Sequence, residues 1–203
     1  MPTTPSHVRP PAVAGRFYPG DAEQLEAEVR RYLNAAQAPD DCLAPPLVKA
    51  IIAPPAGYVY SGPIAATAYV HLACSDIPVR RFVLVGPAHY VPLRGLAVSS
   101  ADAFLTPLGR VPVDAEGRQA ALASRWVRVD DHAHQPEHCL EVQLPFLQVL
   151  FPDFSIVPLL VGDAAGADPL VGEGISFALG YGDPASAAII DAFNRNDFSF
   201  DTY

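Results

Sequence analysis

Apolar positions along the chain recur at two different periods, and the switches between them mark out the elements. Ala22, Leu25, Val29, Tyr32 and Leu33 fall on one face at 3.6 spacing. Asp21 is placed to cap them, with Gln24 three residues on, so the spacing predicts a helix over 21–33. Leu47-Val48-Lys49-Ala50-Ile51-Ile52-Ala53 is a short, partly β-branched run between Pro45-Pro46 and Pro54-Pro55, the pattern of a strand covered on both faces. Gly62-Pro63 opens a small-residue helix over 64–73, and the run 81–85 predicts a second buried strand ending at Gly86-Pro87. Two strands joined by a helix imply a right-handed parallel crossover, and such sheets hold ligands at the carboxyl ends of their strands. Further along, the pattern predicts a strand over 96–99, a hairpin around Gly109 and a helix over 115–124. A polar, histidine-rich stretch over 130–138 follows, then a helix from about 138 to 150 and a strand over 155–161.

Composition narrows the class. Half of the 203 residues are hydrophobic, yet no apolar run approaches the roughly 18 residues that a membrane helix needs. The 22 prolines are about twice the usual share, but none falls between Asp21 and Ala38, so proline punctuates elements and does not prevent them. Thirteen basic against 22 acidic side chains give a net charge of −9, which argues against nucleic acid or an anionic membrane as partner. Residues 163–203 hold seven of the acids against Arg195 alone, so most of that charge sits in the last stretch. Three irregularly spaced cysteines (Cys42, Cys74, Cys139) and no charged segment leading into an apolar one suggest a reducing, cytoplasmic location.

The densest chemistry is Asp130, Asp131, His132, His134, Glu137, His138 and Glu141, which between them offer every common metal-ligand type except a thiolate. On a continuous helix Glu137 and Glu141 would share a face with His138. His138 and Glu141 are read as functional, whereas His132 and His134 are read as surface residues. His89 stands just past a buried strand, after Gly-Pro, where an α/β sheet places ligands. Tyr58, Tyr60 and Ser61 follow the other strand end and could supply hydroxyls to the same cleft. No nucleophile elbow, phosphate-binding loop or dinucleotide fingerprint is present.

Four strings in order carry a resemblance. They are Ala12-Val13-Ala14-Gly15-Arg16-Phe17-Tyr18-Pro19, the segment Ile51-Ile52-Ala53-Pro54-Pro55-Ala56-Gly57-Tyr58-Val59-Tyr60-Ser61-Gly62, Gly86-Pro87-Ala88-His89, and Glu137-His138-Cys139-Leu140-Glu141-Val142-Gln143-Leu144-Pro145-Phe146. Over about residues 8–162 the chain resembles the Memo family, named AmmeMemoRadiSam system protein B in many bacteria and archaea. The resemblance implies an α/β fold with a mostly parallel or mixed central sheet flanked by helices, similar to the class III extradiol (LigB-like) dioxygenases. It also implies a non-haem iron or copper site in a cleft. Of the family's ligands, His89 matches the histidine of the Gly-Pro-x-His motif, and Pro55 stands where the family has its first histidine. The cysteine ligand belongs to a part of the family domain expected beyond residue 162. Tyr58, Tyr60 and Glu137 are expected to line the cleft, with His89, His138 and Glu141 as its catalytic groups. Metal binding is expected to be impaired by Pro55 and by an incomplete C-terminal part.

Residues from about 161 on resemble the C-terminal FAD motif of geranylgeranyl reductase-type flavoproteins. Asp163 matches the ribose- or ribityl-binding aspartate, and Gly172 and Gly174 match the turn that leads into a helix. This implies a junction between about 157 and 165, with 163–203 an acidic segment that is not an independent domain. FAD itself is not expected to bind, because the chain lacks the N-terminal fingerprint that holds the adenine half. Three functions follow as expectations: a metal- or redox-related cleft protein, a non-enzymatic scaffold whose cleft takes a peptide or small molecule, and a flavoprotein fragment. Self-association is a further expectation, since an incomplete sheet leaves an edge open.

Overall fold

Residues 7–36, 48–74, 79–162 and 176–180 are described in a computed structural model of the chain. After a two-residue strand β1 (Val8–Arg9), helix α1 (Ala22–Ala35) begins where the capping signal lies. Asp21 is extended and its carboxylate accepts the Gln24 N–H at 3.0 Å, while Leu25, Val29 and Tyr32 turn inward. Strand β2 (Ile51–Ala53) is shorter than the apolar run that predicts it and is not covered on both faces. It is the edge of its sheet, and Ile52 is 58% exposed between buried Ile51 and Ala53.

Helix α2 (Tyr58–Ala73) starts six residues before the predicted 64 and runs through Pro63. Its first turn is held from outside: Tyr58 N donates to Phe17 O at 2.7 Å, and Ser61 Oγ donates to Ala56 O at 2.7 Å. Pro63 lies on the exposed side, where water can serve the carbonyl that its missing N–H leaves without a helical donor. Strand β3 (Arg81–Pro87), strand β4 (Leu96–Val98), the hairpin β5 (Ala103–Thr106) and β6 (Gly109–Pro112), and helix α3 (Ala115–Leu122) follow as the pattern predicts. Gly109 takes φ +117° at the hairpin turn, a conformation that suits glycine. Strand β7 (Val127–Val129) has no counterpart among the predicted elements, and the short helix α4 (Asp131–His134) lies in the polar, histidine-rich stretch.

The helix predicted over 138–150 is split into a 3-10 turn (Glu141–Gln143) and helix α5 (Leu144–Leu150). Pro145 has no N–H to continue a ladder from upstream but suits a first turn, so the α-helix begins there. Glu137 is therefore not on a helix with Glu141. Strand β8 (Ser155–Val161) matches its predicted bounds, and strand β9 (Ser176–Gly180) ends the described chain.

Six strands form a mixed sheet in the order β2-β9-β3-β8-β4-β7. Strands β3 and β8 run parallel from Arg81↔Ser155 to Pro87↔Val161, β4 is antiparallel to β8, and β4 is parallel to β7. Strand β9 is antiparallel to both β2 and β3, so those two are parallel to each other, as expected, but are not neighbours. Period two along β3 builds two cores. Phe82 and Leu84 join Ile156, Leu160 and the buried faces of α1, α2 and α5, while Val83 and Val85 join Val157, Leu159 and Ala121 of α3. A mixed sheet with helices on both faces is the α/β class the resemblance implies. Strands β1, β5 and β6 form a separate three-stranded sheet. Cys74, capping α2, is disulfide-bonded, so the odd cysteine count is no argument for a reducing compartment. Among the described residues no helix is long and apolar enough to cross a membrane.

Candidate functional site

Strand β3 lies inside the sheet and is matched in length by its neighbour β8, and its carboxyl end is tied down on both sides. Ala88 N donates to Val161 O at 2.9 Å, and the buried Cys139 thiol lies 3.2 Å from Pro87 O. His89 emerges from this anchored end. Its backbone N–H donates to Glu137 Oε2 at 2.6 Å and its Nδ1 is 2.9 Å from Glu137 Oε1. The same Oε1 accepts the backbone N–H groups of His138 at 2.8 Å and Cys139 at 3.0 Å. Burial alone would raise the Glu137 carboxyl pKa, but these hydrogen bonds, His89 foremost, outweigh it and bring it to about 2. An ionised carboxylate only accepts, so Nδ1 of His89 donates to it. Nε2 has no partner among the described residues, and the His89 side chain is 23% exposed.

His138 stacks on His89 with ring centroids 4.7 Å apart and planes at 26°. The edge of Phe17 at 4.8 Å and that of Tyr90 at 5.6 Å complete its surroundings. Burial lowers the His138 pKa, against the pull of Glu137. Its Nδ1 sits 3.2 Å from Glu137 Oε1, but not in a hydrogen-bonding direction, and is left buried without a hydrogen-bond partner. One donor atom from each of His89, Glu137 and His138 lies within 4.8 Å of the others.

Other predicted site residues lie elsewhere. Glu141 is fully buried, and its oxygens accept Arg9 Nη1 at 2.7 Å, Tyr18 OH at 2.6 Å, and the N–H groups of Ala12 at 2.8 Å and Val13 at 3.0 Å. Those four donors occupy its acceptor sites, so it fastens the N-terminal segment and is not placed to meet a substrate. Tyr58 does not line a cleft: it is 2% exposed and its hydroxyl donates to Val142 O at 2.7 Å. Tyr60 projects from the outer side of α2 at 82% exposure. Pro55 is buried at the end of β2 and offers no ligand atom. His132 is exposed as expected, but His134 is buried with Nε2 3.0 Å from Ala97 O, and burial pushes its pKa down to about 4. Asp163, Gly172 and Gly174 lie outside the described residues.

Arg9 is the residue that motif reading missed. It donates to Glu141, to the carbonyl of His134 at 2.8 Å and to the carbonyl of Glu137, so one guanidinium fastens the site loop at both ends. The signal for it is indirect: two acids inside an apolar anchor segment require a cation, and Arg9 opens the stretch that carries the first motif. Phe17 lies within the first motif and Tyr90 directly follows the third, yet nothing in their spacing marks them as neighbours of His138.

The chain matches the family described as Memo-like protein over residues 9–179. It is 38% identical over 180 residues to a MEMO1 family protein of Thermotoga neapolitana, covering 85% of this chain and 63% of that one. It is 44% identical over 163 residues to a MEMO1 family protein of Ignicoccus hospitalis and 42% identical over 155 residues to one of Aquifex aeolicus, with 76% of this chain covered in each case. The chain spans 56% and 55% of those two relatives. The match continues across Asp163, Gly172 and Gly174, past the junction expected at 157–165, which corrects the flavoprotein reading of that region. Where the FAD motif requires a helix after Gly174, residues 176–180 form β9, hydrogen-bonded between β2 and β3. With its family match spanning most of its length, the chain belongs to the Memo family.

Proposed function

We propose that the strand-end cleft is a metal-binding site of the non-haem, extradiol-dioxygenase-like kind, centred on His89. The observation that supports this reading is the His89–Glu137 pair at the carboxyl end of β3. A buried, ionised carboxylate grips both the backbone and Nδ1 of one imidazole and fixes its ring against a second imidazole, that of His138. The first ligand position that the resemblance implies is closed, because Pro55 carries no donor, so the residues present do not assemble that ligand set. A metal bound here would supply Lewis acidity or one-electron chemistry. This chain's own residues orient the His89 ring and wall the site with aromatic edges.

The test is iron and copper content of the purified chain beside His89→Ala and Pro55→His. Copurified metal that His89→Ala removes and Pro55→His increases is the expected result. Absence of both metals from all three proteins, after incubation with either ion, overturns the reading.

One observation favours a second, non-enzymatic reading. Val59 and Tyr60, just after Pro55, are 81% and 82% exposed, an apolar surface suited to a peptide or small-molecule ligand held without turnover. Ligand capture that survives His89→Ala and fails with Tyr60→Ser would favour it.

A further inference from the structure

Three donor atoms converge beside His89. Nδ1 of His89 at 2.9 Å and Nδ1 of His138 at 3.2 Å face the same Glu137 oxygen, Oε1, and Nδ1 of His138 is buried without a hydrogen-bond partner. An ion seated among them would displace the proton that His89 shares with Glu137. The orphaned nitrogen is the telling group. Buried polar atoms are satisfied in folded proteins with few exceptions, and His138 is only 9% exposed. Its Nδ1 faces a carboxylate oxygen at 3.2 Å with no hydrogen bond between them, an arrangement that a nearby positive charge would relieve.

Resting on the metal-binding reading above, we propose that His138 and Glu137, together with His89, form the donor set this chain uses in place of the ligand lost at Pro55. The set is two histidines and one carboxylate, with donor atoms already within 4.8 Å of one another. That combination leaves coordination positions open and suits a first-row divalent transition ion. The shell around it is rigid. Glu137 is fixed by backbone N–H groups at 138 and 139, Arg9 holds the Glu137 carbonyl, and Phe17 and Tyr90 confine the His138 ring. No other group of three or more histidine, cysteine or acidic side chains with this geometry occurs among the described residues.

The experiment is titration of the full chain with cobalt(II) alone, followed by the visible bands of the bound ion. The proteins are the unmodified chain, His138→Gln, His89→Gln and Pro55→His, each checked for fold by far-ultraviolet circular dichroism. His138→Phe, which keeps the ring packed between Phe17 and Tyr90 but removes both nitrogens, separates ligation from packing. One equivalent of cobalt in the unmodified chain is expected, weakened more than about tenfold by His138→Gln, His138→Phe and His89→Gln and retained or tightened in Pro55→His. Binding that ignores both His138 variants overturns this donor set while leaving the His89-centred reading standing. Binding that appears only with Pro55→His does the same. No binding in any of the proteins overturns both.

Discussion

Glu141 shows how much one side chain can hold without touching a ligand. Its carboxylate is 0% exposed and its partner Arg9 is 5% exposed, so the pair is fully desolvated. Replacing Glu141 by Ala would leave a guanidinium buried with no counter-charge and strip Tyr18 OH and two backbone N–H groups of their acceptor. Breaking a buried pair in this way costs about 3–5 kcal/mol. Urea denaturation of Glu141→Ala should show a loss of that size, and a loss below about 1 kcal/mol would contradict the role given to it here. Arg80–Asp153, at 75% and 78% exposed, is the control, because an exposed pair contributes little and its removal should leave the midpoint where it was. From the sequence, Glu141 reads as a catalytic acid because an acid at the head of an apolar anchor is uncommon. Its true partner, Arg9, is 132 residues away, and nothing local announces that pairing. His89 was legible for the opposite reason, since a histidine directly after a buried strand is placed by the strand itself.

At the scale of elements, the first two helices meet at Gly62. A Cβ added there would lie 2.5 Å from Tyr32 Cε2 and 2.8 Å from Cζ, and Tyr32 cannot easily yield because its hydroxyl is bonded to Glu28 at 2.6 Å. Gly62→Ala must therefore push α1 from α2, an overpacking cost of about 1–3 kcal/mol. A lowered thermal midpoint that Tyr32→Leu partly restores would confirm the contact, and an unchanged midpoint would refute it. Helix α1 and strands β3 and β8 were legible because their signals are local: a cap with a 3.6 period, and apolar runs closed by proline or glycine. The early start of α2 was hidden because Tyr58 N is received by Phe17 O, a partner from another motif. Strand β2 reads as central in sequence and is an edge in space, since edge position is decided by β9, more than a hundred residues later. The pairing of β9 between β2 and β3 is equally invisible, and that is why the glycine-rich stretch before it invited a flavin-type reading.

For the whole molecule, the buried titratable groups all favour neutral pH, and they act in successive windows. His134 is 2% exposed and its Nε2–H donates to Ala97 O, so its neutral form is the one the fold accepts. Its pKa falls from 6.5 to about 4 on folding. As pH drops below 6.5 the unfolded chain takes up a proton that the folded chain refuses, and stability is lost until about pH 4. At 1.36 kcal/mol per unit the loss from this residue is about 3 kcal/mol. His138, also lowered by burial, adds to the same limb. The carboxylates continue it with the sign appropriate to acids. Glu137, brought from 4.5 to about 2, contributes stability that is complete above the ordinary carboxylate range and disappears as pH falls through that interval. Asp114 and Asp131, both lowered, act in the same direction. The urea midpoint of the unmodified chain should therefore decline without a plateau from near neutrality downward. His134→Gln, whose amide can still donate to Ala97 O, should flatten the upper limb between 6.5 and 4 and leave the carboxylate limb unchanged. A variant whose profile parallels the unmodified one across the upper limb would show that His134 is not what the fold refuses to protonate. The acid sensitivity would then fall to the His138–Glu137 pair.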